Sequence, residues 1–216
     1  EETKMSIIEK IMSDDLHLIV VPVDEETFLK VIKNEHRIGN FRGDAHKMEI
    51  NYKRRTDSEF VGIIGFSRHV ITGHPELFDI SIIDDITNLG DCDFDATKAL
   101  KENYFGLGRK DGPISPVVCF CGIEIYKDKN DMDTGYIHCL GVTKPYRGRK
   151  LSNFILDDIE RECIESGFDL NAIHSTCNPI SAKTHERVGY EVVHPGRLSS
   201  KGKRMQIRLT KYFKNN

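Results

Sequence analysis

The apolar run VVCFCGIEIY at residues 117–126 is followed, after the polar stretch KDKNDMD, by a second run, GYIHCLGV, at 135–142. Strands that are apolar on both faces belong in the middle of a covered sheet, and a short polar turn between two of them makes an antiparallel hairpin. The second run then does something different. It passes through Thr143-Lys144-Pro145-Tyr146 into Arg147-Gly148-Arg149-Lys150, and from there directly into Leu151, Phe154, Ile155, Ile159 and Cys163 at helical spacing. Gly167 is placed to close that helix, and its acidic residues are expected on the outer face. A helix entrance presents unpaired amides with the macrodipole behind them, so a basic helix entrance following a buried strand suits a bound anion.

The remaining elements can be arranged around that feature. Residues 16–23 (LHLIVVPV) form a β-branched strand, and Asp24 is placed to cap a helix in which Phe28, Val31 and Ile32 share a face. Over 41–111 the pattern weakens, with strands expected at 60–66 and 78–83. After the basic turn come a strand at 170–176, a short helix opening at Asn178-Pro179, and a strand at 190–194 paired with 205–209. Helices inserted into a mixed, mainly antiparallel central sheet define an α/β (α+β) fold. A chain of 216 residues suits one well-filled core, so a single domain over 1–216 is expected.

Charge balance excludes a general affinity for polyanions. There are 31 Lys and Arg against 34 Asp and Glu, so any anion site is local, and neither nucleic acid nor a membrane surface is an expected partner. The six cysteines form no close-spaced framework, and Cys119 and Cys121 lie in the apolar run as small hydrophobes, which points to a reducing, cytoplasmic setting. No stretch reaches the ~18 apolar residues of a membrane span, and the first residues lack a signal-peptide core, Met5 reading as a natural start. DCDFD at 91–95 and DKNDMD at 128–133 read as solvated turns, FGLGRKDGP as a loop, and Arg197, Lys201, Lys203 and Arg204 as a soluble hairpin tip. No Cys/His spacing matches a metal site.

LGVTKPYRGRKLSN with the helix after it, a strand, and then NPISAKTHERVGYEVV resembles the GNAT superfamily of acetyl-CoA-dependent N-acetyltransferases. That family's pyrophosphate signature is Arg or Gln, two residues, Gly, one residue, then Gly or Ala. Arg147 fits it, while Lys150 stands at the Gly position and Ser152 at the Gly or Ala position. A lysine there costs little at negative φ and is penalised at positive φ. The second signature fits at Asn178, Ala182, Gly189 and Tyr190, with His185 in place of its usual Tyr. The resemblance covers about residues 116–209, and 41–111 is expected to be a variable, substrate-side region.

The resemblance implies that two neighbouring parallel strands splay apart to admit acetyl-CoA as cosubstrate, without a metal. Arg147, Gly148, Arg149, Lys150, Leu151 and Ser152 would hold the diphosphate. Leu140 and Val142 would line the pantetheine arm, the Val142 N–H would meet the thioester carbonyl, and Asn178 and Ala182 would contact the arm from the next strand end. By the period of two, Tyr136, His138 and Leu140 are expected on one face and Cys139 on the other. His138 is the candidate base, Tyr136 a substrate or water positioner, and His185 the candidate donor to the departing sulfur. The expected reaction is direct attack of a primary amine in a ternary complex. The expected acceptor is a small amine such as an amino sugar, a polyamine or an aryl-alkyl amine. A peptide or protein amine is the alternative within the same chemistry, a non-catalytic acyl-CoA-binding module is the alternative to catalysis, and a homodimer is allowed for.

Overall fold

The computed structural model describes residues 8–13, 16–37, 41, 54–67, 117–198, 200 and 204–213. In chain order these form β1 (Ile8–Ser13), β2 (Leu16–Val23), α1 (Glu25–Arg37), β3 (Glu59–Ser67), β4 (Val117–Lys127) and β5 (Asp133–Val142). A single 3-10 turn at Lys144–Tyr146 leads to α2 (Leu151–Glu165), β6 (Leu170–Cys177), α3 (Pro179–Arg187), β7 (Glu191–His194), β8 (Arg197–Leu198), β9 (Arg204–Met205) and β10 (Ile207–Tyr212). One eight-stranded sheet runs β1-β2-β3-β4-β5-β6-β10-β7, and β8 and β9 form a separate ribbon. Every neighbouring pair is antiparallel except β5 and β6.

The two faces of the sheet are covered differently. Leu18, Val20, Ile63, Cys121, Ile123 and Ile173 pack with Leu151, Ile155 and Ile159 of α2 in one core cluster. On the opposite face Phe28 of α1 stacks on Phe60 and Phe120, with ring centroids 5.3 and 6.2 Å away. Gly62 and Gly122 leave room for those rings, since a Cβ at either would lie 2.7 Å from a ring carbon. Asp24 starts α1 by accepting the Thr27 amide at 2.7 Å, and Phe28, Val31 and Ile32 are buried as their spacing predicts. Each such side chain contributes about 1.5–3 kcal/mol by leaving water.

Three features depart from the sequence reading. β1, which pairs with β2, has no counterpart among the predicted strands. In α2 the acidic residues do not all face solvent: Asp158, Glu160 and Glu162 are buried, Asp158 against Arg161 and Glu160 against Lys211, while Ile164 is exposed. The third departure is in β5. Gly122 pairs with Cys139 and Ile123 with Ile137, so His138 is an extra residue, a β-bulge. Cross-strand partners share a face, which puts Tyr136 with Glu124 and Cys139 with Gly122, all on the α1 face. Beyond the bulge the alternation has shifted, and Leu140 and Val142 pack against the α2 core. Leu140 is therefore turned away from Tyr136 and His138, and Cys139 lies on their side of the sheet. The strand expected at 78–83, the DCDFD cluster and FGLGRKDGP fall outside the described residues.

Candidate active site

β5 and β6 run parallel from Asp133 and Leu170, shift register by one residue, and then pair continuously from Thr134 and Ala172 to Ile137 and Ser175, where their pairing stops, although β5 continues to Val142 and β6 to Cys177. The ends of two adjacent strands have parted. The direction of the freed backbone follows from the other side of β5. The Thr143 amide donates to the Val118 carbonyl at 2.9 Å, so in an antiparallel ladder the next pair, Val142 and Cys119, is the non-bonded kind. The N–H and C=O of Val142 then point away from β4, into the gap, and by the same alternation so do those of Leu140. Arg147 agrees with this direction: its Nε donates to the Val142 carbonyl at 3.2 Å.

That bond ties the basic turn to the end of the gap. Gly148 sits at φ +84, a conformation that suits glycine, and nothing lies within 4 Å of where its Cβ would be, so the requirement is conformational and not spatial. Lys150 is left-handed as well, at φ 60 and ψ 18, immediately before α2. The lysine at this position is thus in the penalised conformation, at a cost of about 1 kcal/mol. No side chain caps the helix entrance. Leu151 is buried and anchors the helix, Ser152 is half-buried in its first turn, and Arg147, Gly148, Arg149 and Lys150 are exposed around it.

On the α1 face, before the gap, polar side chains form a row that crosses four strands. The sheet register aligns Glu124 of β4, Tyr136 of β5, His174 of β6 and Thr210 of β10. Glu124 is fully buried, which an isolated carboxylate cannot afford, and it is fully bonded. Its Oε1 accepts the Arg55 backbone amide at 2.6 Å, and its Oε2 lies 2.7 Å from both Arg55 NH1 and His138 Nε2. Burial alone would raise this carboxyl, but the Arg55 amide, the His138 ring and the Arg55 guanidinium outweigh it and hold the group below the usual carboxylate range. Burial lowers His138 below the ordinary imidazole value, and the Arg55 charge adds to this, while Glu124 opposes both. The pair is an ionised carboxylate beside a neutral imidazole. Tyr136 packs edge-on against His138 with centroids 5.0 Å apart.

The second signature occupies α3 and its flanks. Asn178 caps the helix, its Oδ1 accepting the Ser181 amide at 2.9 Å, which leaves its amide group for any contact with a pantetheine arm. Ala182 and Tyr190 are buried in the core. His185 is also buried, packed edge-on against Tyr190 at 5.0 Å. Its Nδ1 donates to the Ser181 carbonyl at 2.8 Å, and its Nε2 is buried with no hydrogen-bond partner among the described residues. In that tautomer Nε2 carries no proton, and burial lowers the ring further from protonation. The arrangement offers no donor to a sulfur in the gap, contrary to the expectation for His185.

A parted parallel strand pair, an inward-turned amide at its end and a basic helix entrance are what the resemblance to the GNAT superfamily implies, and the sequence comparison agrees. A model of the Acetyltransferase (GNAT) family matches residues 75–190, more than half of the chain. The chain belongs to the GNAT acetyltransferase family. As a GNAT domain it is an acyltransferase, and the match takes in part of the 41–111 segment that the two signatures do not reach. Among solved structures, Arabidopsis thaliana NAA60 with a bisubstrate analogue is 11% identical, with 90% of this chain and 97% of that chain covered and a TM-score of 0.51. NAA60 with acetyl-CoA is likewise 11% identical over 90% of this chain and 98% of that one, at a TM-score of 0.50. At such identity the likeness is one of fold. No curated protein matches the sequence.

Within this GNAT domain the structure brings together Leu140, Val142 and the 147–152 turn on one side of β5, and Tyr136 with His138 on the other. Sequence reading missed Glu124, Arg55 and His174. A single Glu inside the apolar run of β4 was the available signal, since a charge there requires buried partners. Arg55, 69 residues away from Glu124, gave none.

Proposed function

We propose that this domain transfers an acetyl group from acetyl-CoA to a primary amine, with the amine attacking the thioester directly. The observation that carries the reading is the gap between β5 and β6, with the Val142 amide turned into it and the basic entrance of α2 at its end. In this reading the diphosphate sits at the 147–152 turn, Leu140 and Val142 pair with the pantetheine arm, and the Val142 N–H meets the thioester oxygen as it gains charge.

The acceptor approaches from the α1 face of β5. His138 donates from Nε2 to Glu124, so the ring lone pair is at Nδ1, where it takes the proton released by the attacking amine. A C–N bond forms, the C–S bond breaks, and CoA leaves as a thiolate. A thiol of pKa ~8.5 leaves without a dedicated acid, so the reaction does not need the donor that His185 fails to supply. His185 is then a packing residue of α3.

A small amine is the proposed acceptor. Support comes from the enclosed character of the polar row, in which Glu124 and Thr210 are buried and Tyr136 and His174 are only partly exposed. The test is an acetyl-CoA assay on the purified chain across amino acids, amino sugars, polyamines, aryl-alkyl amines and peptides, with CoA release and acetylated product both measured. Turnover on a small amine, lowered about 10²-fold or more in His138→Gln, is the expected result. Turnover on peptides alone would move the acceptor to the protein class, and CoA binding with no turnover on any amine would leave a binding module.

A further inference from the structure

The donors around Tyr136 have no assigned purpose in the chemistry above. The Arg55 guanidinium lies 3.9 Å over the Tyr126 ring and 5.7 Å from the Tyr136 ring, and its side chain is 48% exposed. Of its nitrogens, NH1 and the backbone amide are committed to Glu124, and its other guanidinium N–H groups make no hydrogen bond among the described residues. The backbone behind it is fixed by a tight turn, in which Ser58 Oγ donates to the Arg55 carbonyl at 2.8 Å and Arg54 NH1 to the Ser58 carbonyl at 2.7 Å. On the other side of Tyr136, in register with it, stands His174, whose Nδ1 lies 2.8 Å from the buried Thr210 hydroxyl. When that hydroxyl donates to Nδ1, the proton of a neutral His174 is on Nε2.

We infer that the acceptor carries a carboxylate near its reacting amine, read by Arg55 and His174 on either side of Tyr136. This deepens the acetyltransferase reading and rests on it. An arginine held over a tyrosine ring and anchored at NH1 offers a planar fork that matches a carboxylate, and the Tyr136 hydroxyl and His174 Nε2–H add donors beside it. Among the described residues, the acids close to the site are already engaged. Glu124 is held by Arg55 and His138, Glu25 lies 3.6 Å from Arg54 Nε, and Asp128 accepts the Asn130 and Met132 amides of its own turn. With Arg55 balanced by Glu124, one monoanion suits the place better than a phosphate. A second ammonium, as in a polyamine, would meet the guanidinium.

The test is a matched series of free amino acids with differing amine-to-carboxylate spacing, each beside its carboxamide, assayed on the full chain with acetyl-CoA. The quantity is the ratio of kcat/KM for acid over amide, compared between the wild type and Arg55→Gln, so that differences in amine basicity cancel. The ratio is expected to fall tenfold or more in Arg55→Gln, to recover partly in Arg55→Lys, and to stay unchanged in His138→Gln, which lowers both rates alike. A ratio that Arg55→Gln leaves unmoved overturns the inference. So does turnover confined to amines without a carboxylate, which keeps the acetyltransferase reading intact. Loss of acetyl-CoA binding and of all turnover in the wild type removes both.

Discussion

Glu124 Oε2 lies 2.7 Å from His138 Nε2, and the same oxygen lies 2.7 Å from Arg55 NH1. One carboxylate is thus shared between the imidazole and a cation, and the carboxylate and the cation act on the imidazole in opposite directions: Glu124 favours its protonation and Arg55 disfavours it. Because burial and Arg55 prevail, His138 is neutral at neutral pH, and activity that requires the free base is kept above its lowered pKa and lost as pH falls through it. The acid limb of kcat/KM is expected below the ordinary value of 6.5. Glu124→Gln moves that limb further down and Arg55→Gln moves it up, while His138→Gln costs about 10²-fold or more at every pH. Parallel movement of the limb in the Glu124 and Arg55 variants would falsify this arrangement.

Lys150 combines a charge at the helix entrance with a strained backbone, and two substitutions separate them. Lys150→Gly relieves the strain and raises stability by up to about 1 kcal/mol, less what glycine loses in chain entropy. Lys150→Ala keeps the strain. Both lose the charge and weaken CoA binding to a similar degree. Thermal denaturation and calorimetric titration of the two proteins provide the check, and equal melting temperatures would mean that the left-handed conformation costs nothing here.

Arg147 has a geometric task in addition to its charge, because its Nε holds the carbonyl of Val142. Arg147→Lys keeps the charge without that bond, so it is expected to bind CoA more weakly than wild type and to lower kcat as well. Arg147→Ala should weaken binding further, by about tenfold. If Lys replaces Arg without effect on kcat, the bond to the Val142 carbonyl has no part in setting the amide.

His185 is a stability residue in this reading. Its folded pKa is lowered by burial, so its contribution is complete above the unfolded value near 6.5 and is lost as pH falls below that value. His185→Phe fills the same space against Tyr190 and removes a buried nitrogen that has no partner among the described residues. It should hold activity near wild type, change stability at pH 8 by no more than about 1 kcal/mol, and flatten the decline of melting temperature from pH 7 to 5. A well-folded but inactive protein would return the imidazole to the chemistry.

Local pattern was enough for β2, α1, the β4–β5 hairpin, α2 and α3, because each has a turn or cap and a periodicity of its own. Asp24 and Asn178 act as the caps that their positions predict. The bulge in β5 left no such mark. GYIHCLGV alternates Tyr136, His138, Leu140 and Val142 with small or apolar residues, a pattern that marks no extra residue, so the alternation placed Leu140 on the wrong side. The acidic residues of α2 misled for a related reason: Glu160 is buried because Lys211, 51 positions away, meets it, and a partner so distant is invisible to helical periodicity. The candidate base was legible as an isolated histidine in a buried strand. Its carboxylate and the arginine behind that carboxylate depend on how β3, β4 and β5 lie side by side.

The single extra residue at His138 also divides the labour of β5. Upstream of it the strand offers side chains to one face, and downstream it offers backbone to a gap whose side chains are sunk in the opposite layer. Tyr136 and the residues aligned with it can therefore be exchanged during divergence, or by design, without repacking Leu140 and Val142. Removing one residue from the strand would undo that independence at once, because whatever then recognised the amine would have to double as packing for the thioester half.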